Sequence, residues 1–191
     1  HTRSDRDWSS DVCSSDLIDN IHISVNISPM DFYLIDIYDT FTSLVERYGI
    51  DPVHLKLEIT ETALMEDISK HLALIDRLRN YGFHVEIDDF GSGYSSLNTL
   101  QDIQVDVLKL DMGFLRKTDN QGRSRIIMNA VIDMSKNLGF TIVTEGVETE
   151  EQVDYLTQAG CDIFQGYFFA KPMPVKDFES RYLVGGKVGK A

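Results

Sequence analysis

Cysteine, positive charge and long apolar runs are all scarce in this 191-residue chain, and each scarcity closes off a class of protein. Cys13 and Cys161 stand far apart, with no CxxC and no Cys/His cluster. Neither a disulfide framework nor a zinc site is signalled. Lys and Arg number 18 against 31 Asp and Glu, a formal charge of -13. A protein that coats nucleic acid would want the reverse. A small phosphate-bearing ligand stays compatible, provided metal ions reverse the local sign of its site. No apolar run reaches the roughly 18 residues of a membrane-spanning helix. The N-terminus also lacks the apolar core of a secretory signal. The expected setting is therefore reducing and cytoplasmic. What remains is ordinary globular material: 42% hydrophobic residues, enough for a sizeable core.

Residues 1–17 are rich in Ser, Asp and Arg, repeat Ser-Ser-Asp and follow no helical or strand period. They read as a non-native or disordered leader. The domain is expected over residues 18–184, with residues 185–191 a flexible tail. Within it, strands are expected at 21–27, 54–59, 83–88, 105–110, 140–144 and 162–165. Helices are expected at 31–48, 66–81, 94–101, 124–138, 149–158 and 175–183. Thr149 with Gln152 matches a capping box for the helix at 149–158.

Regular β-α alternation implies a parallel sheet with covered faces, either barrel or doubly wound. An open doubly wound sheet gathers its ligand groups at one switch point. Here every strand ends on a polar or charged residue: Asn26, Glu58, Asp88, Lys109, Glu145 and Gln165. That distribution suits a barrel, in which many strands feed one mouth. The expected fold class is α/β, a TIM-like (β/α)8 barrel of which about six β-α units are present.

The chemistry centres on Val85-Glu86-Ile87-Asp88-Asp89-Phe90-Gly91-Ser92-Gly93-Tyr94-Ser95-Ser96-Leu97. Two adjacent carboxylates at a buried strand end repel each other unless cations sit between them. Plain turn chemistry is the alternative, since Asp-Asp before a Gly-rich turn is also a turn signal.

Six motifs in register decide between these. Asn26-Ile27-Ser28, Glu58-Ile59-Thr60-Glu61, the Asp88–Leu97 stretch, Lys109-Leu110-Asp111, Glu145-Gly146-Val147-Glu148-Thr149 and Gln165-Gly166-Tyr167 followed by Lys171-Pro172 together resemble the EAL-type cyclic di-GMP phosphodiesterase domains. Ser92 and Thr144 depart from the commoner Thr and Ala without removing a ligand. The larger departure is at the front. The resemblance places two strands and a Glu-Ala-Leu motif before Asn26, and none is found here. The chain is therefore expected to be a truncated domain, poorly folded or inactive alone.

The resemblance implies hydrolysis of cyclic di-GMP to linear pGpG with two Mg²⁺ or Mn²⁺ ions about 4 Å apart, the arrangement of a two-metal hydrolase. It implies Asn26, Glu58, Asp88, Asp89 and Glu145 as metal ligands. Lys109 and Glu145 would be the catalytic pair, with Lys109 contacting or deprotonating the attacking water after burial lowers its pKa. Glu61, Asp111 and Glu148 would form the loop-holding outer layer, and Gln165 and Gly166 would contact substrate. Plainer readings stand beside these: Lys109 as counter-ion, Glu61 and Glu148 as helix N-terminal carboxylates, Gln165 as a loop hydrogen-bonder. The five histidines and Met112, Met128 and Met134 read as packing or surface. The implied partners are cyclic di-GMP, no polymeric nucleic acid, a possible homodimer through helices near residues 88–96, and N-terminal sensory or cyclase domains, with any membrane anchor in the parent protein. The competing functions are an inactive module acting as a cyclic di-GMP receptor or protein-interaction domain, and another metal-dependent barrel enzyme.

Overall fold

The computed structural model describes residues 21–91, 103–113 and 121–183. The leader expected at 1–17, the helix expected at 94–101, the tail expected at 185–191 and most of the 88–96 segment, near which dimerisation helices are expected, lie outside the described residues. Contacts divide the chain into two units, Ile23–Lys171 and a smaller one of residues 1–22 with 172–191.

The larger unit is a six-stranded sheet of β1 (Ile23–Ile27), β2 (Leu55–Thr60), β3 (His84–Phe90), β4 (Val107–Asp111), β5 (Thr141–Glu145) and β6 (Ile163–Phe164). Every neighbouring pair is parallel, and the spatial order is the sequence order. Crossovers between parallel strands are right-handed. Stepping always to the next strand therefore lays the helices on one face and turns the other face inward. This is the (β/α) barrel arrangement, and the doubly wound alternative is excluded by the strand order.

Alternation along the strands divides the labour. Leu57, Ile59, Val85, Ile87, Leu108 and Ile142 are 0–1% exposed and join the main apolar cluster with Ile75 and Leu78. Each such side chain contributes about 1.5–3 kcal/mol on full burial. The intervening positions, Lys56, Glu58, Glu86, Asp88 and Lys109, share the opposite face, because side chains alternate along a strand.

The helices are α1 (Asp31–Leu34), α2 (Ile37–Tyr48), α3 (Glu61–Glu66), α4 (Ile68–Tyr81), α5 (Gln121–Asn137) and α6 (Glu150–Ala159). The expected helix at 31–48 is thus divided, and the one expected at 66–81 starts at Ile68 with an extra helix before it. Asp36 is extended at φ -79° and ψ 102°, and its carboxylate accepts from the Asp39 N–H, so α1 stops and α2 starts afresh. Asp67 caps the start of α4, its carboxylate accepting from the Lys70 N–H. Thr60 caps the extra helix α3 by accepting from the Ala63 N–H at 3.3 Å. The expected capping box of α6 is present in both directions. In the smaller unit, α7 (Val175–Phe178) continues as one π-helical turn, Glu179–Leu183. Among the described residues, no helix is long and apolar enough to cross a membrane.

Candidate active site

Strand register brings the functional side chains to one end of the sheet. Parallel pairing sets Asn26 beside Glu58, Thr60 beside Asp88, Lys109 beside Val143 and Asp111 beside Glu145. Paired residues of a parallel sheet present their side chains to the same face. Four adjacent strands thereby converge on Lys109, whose side chain is 4% exposed. Its Nζ lies 2.7 Å from Glu145 Oε1, 2.8 Å from Glu58 Oε2 and 3.4 Å from Asp88 Oδ1.

A buried lysine survives only with compensating charge. Burial pulls the Lys109 pKa down, but its bonds to Glu145 and Glu58 and the charge of Asp88 outweigh that and hold it above the usual lysine range. The ammonium is therefore firmly protonated at neutral pH. This reverses the direction expected from desolvation alone, because three carboxylates close on one cation. Glu145 is pushed up, first by its own burial and then by Asp88 and Glu58, with Lys109 opposing.

The Asp88-Asp89 pair depends on a local irregularity. Successive residues of a regular strand face opposite ways. Here the pairing of β3 with β4 shifts between Ile87 and Phe90, and Asp89 takes φ 55°, in the left-handed region. A bulge of this kind re-aims side chains at the end of a strand. The Asp89 N–H donates to Asp88 Oδ1 at 2.9 Å; Asp89 is exposed while Asp88 is half-buried. One residue on, the Gly91 N–H donates to Glu61 Oε2 at 2.8 Å. Glu61 is 2% exposed, so the start of the Gly-rich loop is tied to the first residue of α3. Residues 92–96 lie outside the described residues.

The remaining expected site residues form a looser rim. Asp111 Oδ1 accepts from the Gly113 N–H at 2.7 Å. The Glu148 N–H donates to Gln152 Oε1 at 2.7 Å, next to the α6 capping box. The Gln165 N–H donates to the Thr144 carbonyl, and its own carbonyl accepts from the Val147 N–H. A Cβ at Gly166 would overlap the Val147 backbone, so the segments after β5 and β6 touch main chain to main chain. Asn26 is exposed at the end of β1. One further ion pair was not anticipated: the half-buried Lys56 Nζ lies 2.8 Å from the buried Glu86 Oε1, one pleat below the Lys109 cluster. Their signal was available, since parallel strands read as near-continuous apolar runs and Lys56 and Glu86 interrupt two of them.

Asn26, Glu58, Asp88, Asp89 and Glu145 supply only oxygen donors, the set that hard divalent cations prefer. Three carboxylates against one ammonium also leave surplus negative charge. Among the described residues, however, no three acidic, histidine or cysteine side chains converge as a ready-made metal cage; the carboxylates turn onto Lys109 instead.

The family model for the EAL domain matches residues 6–172, most of the chain and part of the segment expected to be a leader. The chain belongs to the EAL domain family. The bifunctional diguanylate cyclase/cyclic di-GMP phosphodiesterase MucR of Pseudomonas aeruginosa is 36% identical over 155 residues, which is 81% of this chain and 23% of MucR. The cyclic di-GMP phosphodiesterase RocR of the same organism is 36% identical over 158 residues, 83% of this chain and 40% of RocR. The chain thus spans well under half of either relative. The structure of the MucR phosphodiesterase in complex with c-di-GMP superposes with a TM-score of 0.77, covering 82% of this chain and 64% of that one. Klebsiella pneumoniae BlrP1, in a manganese/c-di-GMP complex, gives 0.71 at 31% identity over 82% of this chain and 41% of its own.

Proposed function

We propose that this EAL domain hydrolyses cyclic di-GMP to linear pGpG in the presence of two Mg²⁺ or Mn²⁺ ions. The observation that carries the reading is Lys109, buried at the C-terminal ends of four strands and enclosed by Glu58, Asp88 and Glu145. A chain does not bury Lys109 and Glu58, with Asp88 and Glu145 half-buried beside them, for stability, because well-packed apolar residues serve at least as well. Perturbed charges at the mouth of a barrel mark chemistry.

Asn26, Glu58, Asp88, Asp89 and Glu145 would hold the cations. Bound there, the ions supply hydroxide near neutral pH and offset charge on the phosphodiester. Lys109, fixed as an ammonium, donates hydrogen bonds to the nucleophilic water or a phosphate oxygen and keeps the carboxylates from repelling one another. Glu61 holds the start of the Gly-rich loop through the Gly91 N–H. Gln165 and Gly166 offer substrate contacts at the far side of the mouth, and Asp111 and Glu148 support it. A cytoplasmic setting fits a nucleotide substrate and the two widely separated cysteines.

A second reading is a nucleotide receptor, in which Glu58, Asp88 and Glu145 serve as ion-pair partners of Lys109. Incubation of the chain with cyclic di-GMP and Mn²⁺, followed by chromatography, separates the two. Appearance of pGpG, abolished by chelator, supports the phosphodiesterase. Calorimetric binding of intact nucleotide without product supports the receptor.

A further inference from the structure

We infer that Glu86 is a positioning residue, which keeps Lys56 away from Glu58 and so leaves Glu58 free for the active site. The inference rests on the phosphodiesterase reading of that site. Glu58 and Glu86 are direct register partners on β2 and β3. Both face inward and both are buried, at 7% and 2% exposure. Two carboxylates side by side away from water repel strongly unless each has its own cation. Here each does. Glu58 is drawn up to Lys109 at 2.8 Å, and Glu86 is drawn down to Lys56 at 2.8 Å.

Lys56 is the ambiguous member. It lies two residues before Glu58 on the same strand, and positions two apart share a face. Its long stem therefore gives it a choice of two carboxylates. The side chain is 22% exposed, not locked by packing. Glu86 Oε1 is the carboxylate oxygen that faces Lys56 Nζ, at 2.8 Å. The ion pair with Glu86 sets where the Lys56 ammonium sits. Remove the charge on Glu86, and the inward-facing carboxylate beside it in register is Glu58. Lys56 then competes there with Lys109 and with any divalent cation. Glu86 touches neither substrate nor metal in this account; it acts through where it holds Lys56.

The test uses the whole 191-residue chain, crystal structures and Mn²⁺ binding followed by electron paramagnetic resonance. In Glu86→Gln, Lys56 Nζ is expected within about 3.2 Å of the Glu58 carboxylate, hydrogen-bond distance for such a pair. Mn²⁺ affinity is expected to fall about 10–100-fold, the usual cost of disturbing groups that orient metal ligands. Removing the competitor as well, in Lys56→Met/Glu86→Gln, is expected to return Glu58 to Lys109 and restore affinity. A purely structural pair would lower the melting temperature without changing affinity per folded molecule, and it would make the double variant no better than the single. An unchanged Glu58–Lys109 contact in Glu86→Gln overturns the inference. Glu86→Ala frees Lys56 equally and serves if Glu86→Gln does not fold. Absence of Mn²⁺ binding in the unsubstituted chain counts against the phosphodiesterase reading alone, and the position of Lys56 in the variant crystals then decides the role of Glu86.

Discussion

Lys109 carries two burdens, and one substitution separates them. Its ammonium is the counter-ion of Glu58, Asp88 and Glu145, so Lys109→Met leaves three carboxylates facing one another with no cation. Breaking a buried ion pair from one side costs about 3–5 kcal/mol. Urea melts in EDTA are expected to show a loss of that order. Turnover of cyclic di-GMP is expected to fall at least ~10²-fold, as when a positioned proton-handling group is removed. A melt in EDTA indistinguishable from the unsubstituted chain would mean that the cluster is not held by charge. Cys161 gives an independent check on the interior. Burial pushes its thiol pKa up, more than the hydrogen bond with Thr144 pulls it down. Since the thiolate is the nucleophile, a raised pKa means less reactive sulfur at any given pH below it. In a Cys13→Ser background, Cys161 is expected to react with a disulfide reagent at pH 8 more slowly than free cysteine, and to catch up as pH rises. Immediate stoichiometric labelling at pH 8 would place the sulfur in water.

At the level of elements, the six strands were legible because β-α alternation and polar strand ends are carried by local residues. The split at Asp36 and the extra helix ending before Asp67 were not, although both residues are aspartates of the type that cap helices. Only the non-helical backbone at each residue shows that the cap has won. The bulge at Asp88-Asp89 was hidden for a different reason: its cause is the shifted pairing of β3 with β4, a long-range property. The Lys56–Glu86 pair was visible as charge in apolar strands but had no assigned partner until register was known. The tie between α3 and the Gly-rich loop is testable by itself. Glu61→Ala removes the acceptor for the Gly91 N–H and is expected to lower turnover about 10–100-fold, the range for outer-layer hydrogen bonds. Glu61→Gln keeps an acceptor oxygen and is expected to recover most of that loss. Equal damage in both would assign the effect to the charge or the cavity, not to the bond.

The whole sheet has the strand order of a barrel and, among the described residues, two unshared edges: β1 pairs only with β2 and β6 only with β5. Sequence residues implied the order through the six strand ends, but nothing in them stated how the edges are treated. Unpaired N–H and C=O groups on an edge are a template for another strand. Ile23 on β1 is 61% exposed and Ile163 on β6 is 45% exposed, so apolar side chains accompany both edges. Opposing this is the formal charge of -13, which makes copies repel at neutral pH. That repulsion fades as pH approaches the isoelectric point near 4.6. Light scattering is expected to rise as pH is lowered from 8 toward that value, while near-UV circular dichroism still reports a folded chain. Ile23→Lys discriminates the cause. It brings the net charge one unit closer to zero, which by charge alone should make association easier. It also places a lysine on the edge, a common natural guard against strand addition. If the edge is the route, Ile23→Lys scatters at lower pH than the unsubstituted chain, with its melting temperature nearly unchanged because Ile23 is mostly exposed. If it scatters at higher pH instead, net charge governs and the β1 edge is not where copies meet.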